Sequence, residues 1–109
     1  MSSSTIVTQD DSHYLTWALR RIGTRKPVVI PADATVTFRA HHHMGGDPVE
    51  IEGVDEEPAD WTIGVLAIRL TEADVLERIG TWSYTLTILL SNGIEKSLPG
   101  GFIDVVPRG

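Results

Sequence analysis

The sequence predicts an all-β domain: an antiparallel sandwich or small barrel of about seven or eight short strands, with one short helical turn. Three observations lead there. Apolar and polar residues alternate with period two along several stretches. Gly, Pro and Asn-Gly turn signals recur about every eight to twelve residues between those stretches. Only one turn's worth of sequence reads as helix, which excludes a parallel α/β sheet.

Taken in order, residues 1–8 read as a flexible arm, because Ser2, Ser3 and Ser4 bring nothing to a core. Residues 9–109 form the domain. From His13 to Ile22, Leu15, Trp17 and Leu19 share one side, with Tyr14, Thr16 and Ala18 on the other. Gly23 to Pro27 is a turn, and Val28 to Ile30 reads as a short edge strand closed by Pro31. Ala34 to His41 alternates clearly, with Val36, Phe38 and Ala40 on one face. A short strand, Val49 to Glu52, precedes the acidic stretch Gly53 to Asp60, which has no apolar face. Thr62 to Leu70 is apolar on both sides and is expected to be a central strand. Thr71 is placed to cap a helical turn, with Asp74 three residues on.

Gly80 opens what reads as the longest strand. Trp82, Tyr84, Leu86, Ile88 and Leu90 point to a second sheet; Thr81, Ser83, Thr85 and Thr87 point to solvent. Asn92-Gly93 is a strong hairpin signal, since both residues tolerate positive φ. Ile94 to Leu98 and Phe102 to Val106, separated by Pro99-Gly100-Gly101, complete the sheet. The expected core is Trp17, Phe38, Leu70, Trp82, Tyr84, Leu86 and Ile88.

Bulk properties narrow the function. At 109 residues the chain is the size of one domain, large enough to fold without disulfides or metal. With 41% hydrophobic and 22% charged residues, it is neither disordered nor membrane-embedded. No apolar run approaches the ~20 residues of a spanning helix. The polar, acidic N-terminus does not read as a secretory signal. The absence of cysteine removes thiol catalysis and thiolate metal sites, and fits folding in a reducing cytoplasm. A net charge of −6 argues against nucleic acid as partner. Arg20, Arg21, Arg25 and Lys26 cluster as a solvated hairpin end, or else as a docking patch for an acidic surface.

No group of residues has the spacing of a catalytic or cofactor site, so no catalytic, cofactor-binding or metal residue is assigned and an enzyme is not expected. In His41-His42-His43, strand alternation lets only His41 and His43 share an ion, and His13 or Asp47 would have to approach as well. A solvated strand end is the simpler expectation. Glu50, Glu52, Asp55, Glu56, Glu57 and Asp60 lack the spacing of a calcium loop. No serine lies in a nucleophile elbow. Trp17 and Trp82 belong to the core by alternation, whereas Trp61 is the ring to watch for an exposed carbohydrate contact.

Several segments together carry a family resemblance. They are Ala34-Thr35-Val36-Thr37-Phe38-Arg39, Val65 to Asp74, Gly80-Thr81-Trp82-Ser83-Tyr84-Thr85-Leu86, and Gly101-Phe102-Ile103-Asp104-Val105. The chain from Thr8 to Arg108 resembles the immunoglobulin-like N-terminal domain of phage baseplate upper proteins and related tail-fibre attachment domains. It departs from their pattern in Ile30-Pro31-Ala32-Asp33, where a Leu-Thr-Gly turn is usual, and in the long acidic loop Gly45 to Asp60. The resemblance implies an antiparallel immunoglobulin-like β-sandwich and a structural virion protein assembled in the host cytoplasm. Its partners would be other virion proteins and copies of itself in a symmetric assembly, with no nucleic acid and no membrane insertion. Since nothing follows Gly109, the expected role is to adapt, plug or decorate, with the arm ordering on a neighbouring subunit. The alternative expectation is a carbohydrate-binding module that contacts the host surface.

Overall fold

The alternation read from His13, Ala34 and Gly80 onward becomes pairing in space. The computed structural model of the chain describes residues 4–9, 13–20, 26–71 and 75–107. Its strands are β1 (Ser4–Thr8), β2 (His13–Ala18), β3 (Thr35–His42), β4 (Val49–Gly53), β5 (Val65–Leu70), β6 (Gly80–Leu89) and β7 (Glu95–Val106). Single 3₁₀ turns, Trp61–Ile63 and Val75–Glu77, precede β5 and β6. Five strands form one sheet in the order β1-β7-β6-β3-β4, and β2 pairs with β5 in the other. The buried side chains of both sheets form one cluster. The domain is all-β.

Register explains the cluster. Val36 lies opposite Ile88, Phe38 opposite Leu86, Ala40 opposite Tyr84 and His42 opposite Trp82, and all eight are buried. From the small sheet Leu15, Leu66, Ile68 and Leu70 turn inward. Trp17 joins the two layers, its ring 6.5 Å from Phe38 and 5.8 Å from Tyr84. Of the expected core, Phe38, Leu70, Trp82, Tyr84, Leu86 and Ile88 are buried, and Trp17 is half-buried against them.

Several expectations are corrected. Residues 4–8, read as part of a free arm, form β1, which runs parallel to β7 with Val7 opposite Val105. The large sheet is therefore mixed. The physical reason is the run Thr5-Ile6-Val7-Thr8: its β-branched residues favour extended backbone, and Val7 gains a buried place against the core. Val28 to Ile30 is not a strand. Val28 N–H donates to the Leu19 carbonyl and Ile30 N–H to the Trp61 carbonyl, so the segment is held by two separate elements without a ladder. β5 begins only at Val65, because the Asp60 carboxylate caps Thr62 N–H and starts a 3₁₀ turn that Gly64 ends. It is not central either: among the described residues its ladder partner is β2.

Two more elements differ in detail. The strands expected on either side of Pro99-Gly100-Gly101 are one continuous β7 with a bulge, where Tyr84 pairs with Gly101 but Leu86 with Leu98. This makes β7 the longest strand. The hairpin before it closes through a three-residue loop, with Gly93 N–H donating to the Leu90 carbonyl and Leu90 N–H to the Ile94 carbonyl. Asp74 lies outside the described residues; the 3₁₀ turn that follows it contacts Thr71, whose carbonyl accepts from Leu76 N–H.

Close approach of another stretch of backbone requires glycine at Gly64 and Gly100. Gly64 has φ 75°, and a Cβ there would sit 2.6 Å from the Val28 carbonyl oxygen. At Gly100, inside the bulge, a Cβ would collide with the Tyr84 carbonyl oxygen.

Two outcomes follow from this packing. Trp82→Ala should lose about 3–5 kcal/mol in chemical denaturation, because the ring is buried in the shared cluster. An unfolding midpoint equal to the parent's would contradict the register of β6. Removal of residues 1–8 should lower the melting temperature by about 5 °C or more, since it strips the buried Val7 and the β7 pairing. An unchanged transition would show that β1 contributes nothing to the fold.

Candidate functional site

Three sets of residues drew attention in the sequence, and the fold separates them. The alternation Val36-Phe38-Ala40 continues to His42, so the middle histidine turns inward and is only 8% exposed. Its Nδ1 accepts from Met44 N–H at 3.0 Å, which requires Nε2 to carry the proton donated to the Ile79 carbonyl at 2.8 Å. The ring stands edge-on to Trp82, with centroids 5.0 Å apart. Both nitrogens of His42 are thus engaged by backbone. The His43 ring lies tilted beside it, with Nδ1 donating to the Thr81 carbonyl, and His41 lies on the opposite face from His42, in register with Ser83. Among the described residues no group of three His, Asp or Glu side chains is placed to hold a metal ion. The His41–His43 run was read as a solvated end; His42 corrects that, and the alternation pattern already carried the signal.

The tryptophans resolve differently. Trp61 is only 4% exposed: it is a loop anchor, its N–H bonded to the Asp55 carboxylate and its carbonyl to Ile30 N–H. Trp82 is buried, with Nε1–H donating to the Arg78 carbonyl at 3.1 Å. The acidic run also divides. Asp55 and Asp60 serve the loop's own amides, at Trp61 and Thr62. Glu50, Glu52, Glu56 and Glu57 remain exposed. Of the basic cluster, Arg20 and Lys26 are exposed beside the Arg20–Pro27 bridge, while Arg21 and Arg25 lie outside the described residues.

Two concave surfaces emerge that the sequence does not announce. One is an open cleft of about 230 Å³ where the loop after β4 passes the outer side of the small sheet. Ile51, Glu52 and Glu57 bound it on one side, and Tyr14, Ala67 and Arg69 on the other. Outward alternation of Tyr14 and Arg69 was the only available signal, and it gave no hint that the loop would come alongside. The other is an apolar groove of about 230 Å³ lined by Val28, Val29, Ile30, Ile88 and Leu90, with Lys96 at its margin. Chemically, the first surface combines carboxylates, the Arg69 side chain and the apolar Ile51, Val54 and Ala67, and the second is mostly apolar.

No protein-family model matches the chain, and no curated protein does either.

His42→Ala should cost about 2–3 kcal/mol, because it leaves the Ile79 carbonyl and Met44 N–H without their partner beside Trp82. His41→Ala, at an exposed position, should stay within about 0.5 kcal/mol. Added zinc should leave the melting temperature of the parent chain unchanged. A zinc-dependent rise that His41→Ala abolishes would restore the metal reading.

Proposed function

We propose that this chain is an immunoglobulin-like β-sandwich that serves as a structural component of a phage virion, at the tail, baseplate or fibre attachment. It acts by forming interfaces with other virion proteins and with copies of itself. The strand order supports the fold reading. If β2 to β7 are read as strands B, C, C′, E, F and G, the sheets are GFCC′ and BE, as in variable-type domains without the outer strands. The motifs quoted from the sequence supply the virion context.

The observation that carries the interface reading is the apolar groove at Val28 to Ile30. Val29 is 65% exposed at its rim. Contact with a partner at this groove would take its apolar surface out of water. A carbohydrate-binding reading stood on an exposed Trp61, and that ring is buried.

The test is to produce particles with the tagged protein and count its copies per purified particle. Val29→Glu should reduce incorporation severalfold while its melting temperature stays close to the parent's, since the residue is exposed. Absence of the intact protein from purified particles would overturn the virion reading. Normal incorporation of Val29→Glu would remove the groove from the interface.

A further inference from the structure

We infer that the open edge of β4, with the cleft beside it, takes an extended lysine- or arginine-bearing segment of a partner protein as an added strand. The inference rests on the assembly reading for its context and deepens it by naming the partner's chemistry.

β4 is the last strand of the large sheet, paired on one side only, with β3. Among the described residues its backbone makes no hydrogen bond to any element other than β3. An edge strand presents outward N–H and C=O groups in alternation, and an extended segment that pairs with them satisfies both chains. The edge opens onto the cleft of Tyr14, Ile51, Ala67 and Arg69, so an incoming strand finds space beside the ladder among both apolar and polar side chains.

The charge decides the occupant. Glu50 and Glu52 project from the exposed face of β4, and Glu56 and Glu57 continue the rim from the following loop. Asp55 and Asp60 accept from the loop's own amides, Arg39 stands across from Glu50 in the ladder and Arg69 lines the cleft, so carboxylates outnumber the two neighbouring cations at this edge. A second copy pairing β4 against β4 would bring Glu50 and Glu52 toward their own counterparts, which like-charge repulsion disfavours. Lys or Arg at alternate positions of an added strand would instead stand across from them. The opposite edge, β1, carries no charged residue and makes no such selection.

The probe is a short, end-blocked peptide of alternating Lys and Val, titrated into the full chain and followed by amide chemical shifts and hydrogen exchange. Shifts and slowed exchange should concentrate at residues 49–53, and binding should weaken as salt rises. A Lys/Pro peptide of equal charge lacks alternate N–H donors and should bind about tenfold more weakly. Glu50→Lys combined with Glu52→Lys should also weaken the Lys/Val peptide about tenfold, with the melting temperature little changed. Equal binding of the two peptides, or shifts that spare residues 49–53, would overturn the inference. So would slowed exchange at those residues caused by self-association in the absence of peptide. The two readings separate cleanly. Peptide binding by a chain missing from particles sinks only the virion assignment. Full incorporation of a chain that ignores the peptide sinks only the β4 docking.

Discussion

The small sheet depends on its packing against the large one. Two strands alone are marginal in water, and β2 and β5 have only each other as ladder partners among the described residues. Leu15, Leu66, Ile68 and Leu70 supply the missing support by burial in the shared cluster, and Trp17 adds its ring against Phe38 and Tyr84, which are themselves stacked with centroids 5.3 Å apart. Rings in tilted and edge-on contact add specific attraction to the area they bury. That packing fixes where the small sheet sits, and so where its outer face, with Tyr14 and Arg69, meets the loop after β4.

The rest of the frame works by letting backbone approach backbone. Gly64 admits the Leu19 and Val28 carbonyls, and Leu19 N–H donates to the Gly64 carbonyl, tying the segment after β2 to the start of β5. Gly100 admits the Tyr84 carbonyl, so β7 can bulge without leaving β6. Asp55, Asp60 and Trp61 hold the long acidic loop against the body by their own hydrogen bonds. A stretch that looks merely solvated is therefore half structural, with Asp55 and Asp60 engaged by backbone and its glutamates exposed. The cleft and its rim exist because the loop is pinned in this way.

Much of the fold was legible in the sequence because alternation is a local signal. Val36, Phe38, Leu86 and Ile88 lie buried as their period-two pattern requires, and Asn92-Gly93 turns where its tolerance of positive φ allows. Errors arose where a local pattern competes with a remote partner. Thr5 to Thr8 is β-prone, yet whether it pairs depends on a free edge of β7 nearly a hundred residues away. Val28 to Ile30 is β-prone too, but the acceptors that reach it, Leu19 and Trp61, sit on different elements and form no ladder.

The sequence by itself determined the all-β class, the inward faces of β3 and β6, the absence of thiol chemistry and the acidic character of the chain. These follow from residue type and from the period of two, which need no knowledge of the partner strand. Only the tertiary structure decided which backbone groups satisfy the inward-facing His42, that Trp61 anchors a loop, and that Tyr14 and Arg69 share a cleft with Glu52. Each of those outcomes turns on which backbone groups come within hydrogen-bonding distance across dozens of residues. That proximity is set by how the two sheets pack, and no local pattern encodes it.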